Sequence, residues 1–211
     1  MKTKERIVHA ALELFNTHGE RKITTNHIAA HLDISPGNLY YHYRNKSDII
    51  ARIFDQYEDT VADLFDLPAD RPITLEDRAA LLEKLLGIIW DYRFMHRDLV
   101  GMLANDENLQ QRYKAFAESN IQRTEQIYRI MTASGFMVLR EDQYKPLALN
   151  VWMLFTGWTT FLRTARGLTE EEITQEQLFS VIYQLTYLEM PYLTEATREE
   201  TERLLEHFQP E

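Results

Sequence analysis

The 211-residue chain has no cysteine, which excludes a disulfide framework, a thiolate metal site and a cysteine nucleophile. Serines are few and none sits in a G-x-S-x-G elbow, so the hydrolase nucleophile is missing. No G-x-x-x-x-G-K-[ST] loop occurs, and nucleotide hydrolysis lacks its phosphate cradle. Nor is there a run of about 18 apolar residues, the length a membrane-spanning helix needs. The opening MKTKERIVHAALELF carries charges where a secretory leader has an apolar stretch. Strand-like alternation, internal repeats and low-complexity tracts are absent as well. The expectation is a cytoplasmic all-α protein that is not an enzyme, with no membrane association, no catalytic residues, no cofactor and no metal.

A net charge of −10 looks unsuited to nucleic acid, but the charge is unevenly distributed. Residues 1–55 hold 8 Lys and Arg against 6 Asp and Glu, whereas residues 56–211 hold 15 against 27. A weakly basic head on an acidic body suits a compact DNA-binding module joined to a part that DNA does not attract.

Apolar spacing predicts helices almost throughout. Ile7, Ala10, Ala11, Leu14 and Phe15 form one stripe, and Gly19 stops it. Thr24 or Thr25 can cap a short helix carrying Ile28, Ala29 and Leu32. Ser35 followed by Pro36 is a strong start signal for a third helix reaching about Tyr43. Ser47 is expected to cap a fourth, with Ile50, Ile53, Phe54, Tyr57, Val61, Leu64 and Phe65 on one face. The prolines and aspartates of DLPADRPIT mark a boundary, after which Thr74 starts the next helix. Further helical segments are expected at about 96–104, 106–133, 143–166 and 174–189, and a solvated amphipathic one follows Pro191.

The third helix poses a functional question, because SPGNLYYHY is too short to stabilise itself and is rich in polar tips. Two short helices joined by a tight turn have the layout of a helix-turn-helix, whose second helix enters the major groove. Leu39 and Tyr43, four apart, can face inward with Ile28 and Leu32, leaving Pro36, Asn38, Tyr41 and His42 outward. Gly37 lets backbone approach a phosphate, which the helix dipole favours. Asparagine can pair with adenine, and a tyrosine ring can pack on a thymine methyl. Thr25, Tyr40, His42 and Lys46 suit phosphate, a contact that positions without specifying. A structural helix pair with a tyrosine-rich surface is the plainer alternative.

The stretch KITTNHIAAHLDISPGNLYYHYRNKSDII resembles the DNA-binding head of the TetR family of bacterial transcriptional regulators. The match covers roughly residues 5–55: Phe15 to Gly19, Ile23–Thr24, Ile28–Ala29, Ile34–Ser35, Gly37, Leu39–Tyr40, His42–Tyr43 and Lys46. The resemblance implies a head at residues 1–55, with helix four continuing to about 66, and a helical ligand-binding and dimerisation body at 67–211. DNA-contacting residues would be Thr25, Ser35, Pro36, Gly37, Asn38, Tyr40, Tyr41, His42 and Lys46, with Pro36, Asn38 and Tyr41 facing bases. Two positions depart from the family pattern: Asp33 replaces a common turn glycine, and Asn26–His27 stand where arginine is common.

A module this small grips few phosphates, so a homodimer on two operator half-sites is expected. The resemblance places the intersubunit contact on the last two large helices, with Trp158, Leu162, Phe179, Ile182, Tyr183 and Thr186 as candidates. A largely apolar or amphipathic small-molecule effector is the second implied partner. Methionine and aromatic clustering suits an adaptable apolar site and nominates Trp90, Phe94, Met102, Phe116, Tyr128, Met131, Trp152 and Phe155, although such residues also make ordinary core. Arg93, His96 and Arg97 could hold an anionic ligand head, and the alternative is a solvated junction. His27 and His31 have the spacing of a two-histidine metal site, but no third ligand is evident. A dimeric helical binding protein whose head ignores DNA is the competing function.

Overall fold

The computed structural model describes residues 2–65, 71–169 and 171–205. Among them the chain forms α1 (Thr3–His18), α2 (Thr25–His31), α3 (Pro36–His42), α4 (Lys46–Ala62), α5 (Leu75–Asp91), α6 (Arg93–Asn105), α7 (Glu107–Ala133), α8 (Tyr144–Thr164), α9 (Gln175–Phe179), α10 (Val181–Glu189) and α11 (Glu195–Leu205). Extended pairing among the described residues is confined to one isolated bridge, Met137 with Leu193. The fold is all-α. The central part of the proline-rich boundary, residues 66–70 with Leu67, and the end of the terminal segment beyond 205 lie outside the described residues.

The chain divides into two compact units. The first is Met1–Asp63 together with Ile88–Lys114, so the head has α6 built into it. Its core is made by side chains that the apolar stripes bring together: Ile7, Ala11 and Phe15 of α1, Ile28 of α2, Leu39 of α3, Ile49, Ile53 and Phe54 of α4, and Phe94 of α6, all fully buried. The Phe15 and Phe94 rings meet at 5.3 Å between centroids. Burying residues of this size contributes about 1.5–3 kcal/mol each.

The second unit is Leu64–Gly87 with Ala115–Glu211. Tyr128 and Met131 of α7 pack with Tyr144, Leu147 and Ala148 of α8 and with Met137 and Leu193. Arg129 secures this hairpin by pairing with Glu125 (2.9 Å) and Glu141 (2.6 Å) while lying over the Tyr144 ring. A buried carboxylate, Glu189 of α10, accepts from the Tyr128 hydroxyl at 2.6 Å and pairs with Arg78 of α5. Burial and that carboxylate hold the Tyr128 hydroxyl well above its ordinary range.

Three local expectations are corrected. Asn45, not Ser47, caps α4, its side-chain oxygen accepting from Asp48 N–H at 2.8 Å. Helix α4 ends at Ala62, followed by a tighter turn Asp63–Phe65. The helix expected over about 174–189 breaks at Ser180. There the Gln177 carbonyl accepts the Ser180 hydroxyl (2.6 Å) and the Trp158 indole N–H (3.2 Å), competitors that pull it out of a regular helical ladder.

Candidate nucleic-acid interface

The local chemistry of α2 and α3 fixes what α3 displays. Thr24 caps α2 by accepting from His27 N–H, and His27 Nδ1 accepts the Thr24 N–H in return, each at 3.3 Å. Thr24 is thus the cap, and this imidazole nitrogen is committed. His31 Nε2 lies 3.7 Å from Glu13, so the two histidines spaced four apart serve two separate local roles. The turn is closed by Ile34 N–H donating to Ala29 O at 3.0 Å. Asp33 adopts φ 53° there, the left-handed conformation that glycine would take without strain. Ser35 caps α3 through Asn38 N–H at 3.2 Å, and Pro36 occupies its first turn.

Leu39 alone is buried on α3, and Tyr43 just beyond it is buried too. That anchor turns Ser35, Pro36, Gly37, Asn38, Tyr40 and Tyr41 to solvent, while His42, Thr25 and Lys46 are half-buried. Leu32, expected inside with Ile28, is also only half-buried. Tyr41 is 86% exposed, with the His42 ring edge-on to it at 5.1 Å. Tyr40 reaches back to α2, its hydroxyl 3.0 Å from Thr25 Oγ1. Those two groups therefore form one hydroxyl pair bridging the helices.

A polar chain runs behind this surface. Lys46 Nζ donates to the carbonyls of Glu20 (2.9 Å) and Ile23 (3.1 Å) and pairs with the Glu20 carboxylate (2.6 Å). Glu20 N–H donates to Asp98 of α6 at 2.9 Å. Neighbouring Arg97, almost fully buried, donates to the Phe15 and Asn16 carbonyls at the end of α1 and pairs with Asp98 at 2.9 Å. Asn16 completes the junction: its side chain donates to Asp91 O (2.6 Å) and accepts Phe94 N–H (3.1 Å). Arg97 thus adds a second donor to the Phe15 carbonyl, which already takes the Gly19 N–H, and bonds the Asn16 carbonyl, a capping role rather than an anion site. His96 is buried against the Tyr57 hydroxyl at 3.3 Å, and burial pushes its imidazole down to about 4. Arg93 lies over the Trp90 ring. Sequence reasoning missed Asn16, Glu20 and Asp98. A polar residue adjoining Phe15 in an apolar stripe was the available signal for Asn16; nothing marked the other two.

Comparison with known proteins decides the family. Residues 7–53 match the sequence model described as bacterial regulatory proteins, tetR family, and residues 56–201 match the TetR model described as bacterial transcriptional repressor. A crystal structure of a TetR-family regulator from Marinobacter aquaeolei VT8 is 46% identical, with full coverage of both chains and a TM-score of 0.90. The chain belongs to the TetR family. A TetR regulator binds DNA through its helix-turn-helix. An uncharacterised HTH-type transcriptional regulator from Xanthobacter autotrophicus is 34% identical over 87 residues, 39% of this chain and 43% of that one. The same TetR fold, at 17% identity, recurs in SmeT bound to triclosan (TM-score 0.62, covering 92% and 93%) and in a TetR regulator from Haloarcula marismortui (TM-score 0.69, covering 90% and 98%). Among the described residues no helix is long and apolar enough to cross a membrane.

The pocket candidates of this TetR regulator divide between the two units. Trp90, Phe94 and Met102 belong to the first, and Phe94 is head core against Phe15. Phe116, Tyr128, Met131, Trp152 and Phe155 belong to the second, where Tyr128 and Met131 are part of its packed core. Phe116 and Trp152 meet edge-on at 6.0 Å. One turn along α7, buried Asn120 donates to the Phe116 carbonyl, and its Oδ1 has no partner among the described residues. Of the dimer candidates, Leu162 and Thr186 are buried inside the single chain, whereas Trp158, Phe179, Ile182 and Tyr183 are half-buried. The exposed apolar line on α8 is Leu149, Met153 and Phe161, with Tyr187 exposed on α10.

Proposed function

We propose that this protein is a cytoplasmic ligand-responsive repressor that holds a palindromic operator as a homodimer and releases it on binding a small, largely apolar effector. The observation that carries the proposal is the anchoring of α3 by Leu39, which leaves Pro36, Asn38 and Tyr41 facing outward. In this reading those three read bases, while Thr25, Ser35, Gly37, Tyr40, His42 and Lys46 hold the backbone. Residues 1–55 act on DNA, and 67–211 dimerise and bind effector. Apolar side chains exposed along α8 and α10 support a second copy as the partner. A buried acceptor with no partner among the described residues, Asn120 Oδ1, beside the Phe116–Trp152 pair, supports an effector with an aromatic or alkyl body and one hydrogen-bond donor. The triclosan complex of SmeT supports an apolar ligand for this fold.

In this reading effector binding in the body changes the spacing of the paired α3 helices, whose half-sites lie about 34–36 Å apart. The coupling is reciprocal, so operator and effector weaken each other by one factor. Selection from random duplex DNA tests the proposal. A two-fold symmetric consensus is the expected result, with Tyr41→Ala and Asn38→Ala relaxing base preference. An unsymmetrical outcome, or none, refutes it.

A further inference from the structure

The three hydrogens of the Lys46 ammonium are not equivalent. Two go to the Glu20 and Ile23 carbonyls at 2.9 and 3.1 Å, the backbone flanking the tight turn Glu20–Lys22. These bonds fix where Nζ stands. The third meets the Glu20 carboxylate at 2.6 Å, on a side chain whose torsions can swing it aside. A carboxylate and a phosphodiester offer the same charge sign and the same kind of acceptor oxygen. Solvent screens this pair incompletely, with side-chain exposures of 29% for Lys46 and 12% for Glu20. Glu20 is itself positioned from α6: its N–H rests on Asp98, which Arg97 holds against the end of α1.

We infer that Glu20 is an intramolecular stand-in for DNA phosphate on Lys46, held in place by α6 through Asp98. Docking on a duplex exchanges the Glu20 carboxylate for a phosphate oxygen while both carbonyl bonds stay. The released carboxylate then faces the DNA backbone with like charge, so it opposes docking. A displacement of α6 moves Asp98, hence Glu20, and changes the strength of that opposition. Glu20 and Asp98 are therefore positioning residues for operator binding. The inference rests on the reading of Lys46 as a phosphate contact.

The test uses the full-length protein and the duplex that the unmodified protein enriches from a random pool, with affinity measured by fluorescence anisotropy at several salt concentrations. Glu20→Gln is expected to bind about two- to fivefold tighter, the worth of a partly exposed ion pair. Lys46→Gln weakens binding and lowers the salt slope by about one, and adding Glu20→Gln to it gains less than in the native background, because only the like-charge repulsion is then left to remove. Asp98→Asn shifts affinity in the native background and not in the Glu20→Gln background. Glu20→Asp, which keeps the charge on a shorter stem, should fall between native and Glu20→Gln. A merely structural Glu20 would lower thermal stability without tightening DNA binding. Folded Glu20→Gln and Glu20→Asp that bind no tighter, while Lys46→Gln still loses its unit of slope, overturn the inference alone. Lys46→Gln with the native slope overturns the reading beneath it.

Discussion

Asp33 holds φ 53° in the turn between α2 and α3, a conformation that strains any side chain with a Cβ. Replacing it with glycine removes that strain and adds freedom to the unfolded chain, so the two effects partly cancel. Asp33→Gly should stabilise the protein by about 0.5–1 kcal/mol, visible as a higher urea midpoint with an unchanged slope. His96 predicts a pH dependence. Burial beside Tyr57 depresses its imidazole from 6.5 to about 4, so between those values the unfolded chain binds a proton that the folded chain refuses. Stability is therefore full above about pH 6.5 and falls on acidification toward about 4, by roughly 3 kcal/mol in all. Urea titrations across that range should lose this slope in His96→Gln. Equal slopes in the two proteins would remove His96 from the account.

Among elements, α6 carries more than its apolar pattern announces. Arg97 is almost fully buried and serves the last carbonyls of α1; Arg97→Met leaves those acceptors and Asp98 without it. A loss of about 3 kcal/mol is expected, measured by denaturant unfolding. This helix also marks the limit of sequence reading. The cap at Ser35, the anchor Leu39 and the exposed Tyr41 were legible, and the α2 cap was narrowed to Thr24 or Thr25, because each depends on residues within a turn or two. The role of α6 was not, since Arg97 meets Phe15 across more than 80 positions of chain and no periodicity encodes such a partner. The break at Ser180 was hidden for a similar reason: Trp158, from another helix, takes part in it. Aromatic and methionine content nominated pocket residues without separating wall from core, because both environments select the same side chains.

For the molecule as a whole, the expected partner surface follows the exposed line Leu149, Met153 and Phe161 on α8 and Tyr187 on α10. Met153→Glu combined with Leu149→Glu should leave helicity intact, halve the mass in sedimentation and weaken operator binding at least tenfold, since one head grips too few phosphates. A double variant that stays dimeric would move the interface elsewhere. The first compact unit has a practical corollary too. Because Ile88–Lys114 is built into it with Met1–Asp63, a chimera that grafts only the first 63 residues onto a relative's effector module strips Phe15 of Phe94 and α1 of Arg97. With this chain as the parent of the head, a discontinuous splice that carries Ile88–Lys114 along with Met1–Asp63 is expected to unfold at a higher urea concentration than a hybrid crossed over once after Asp63.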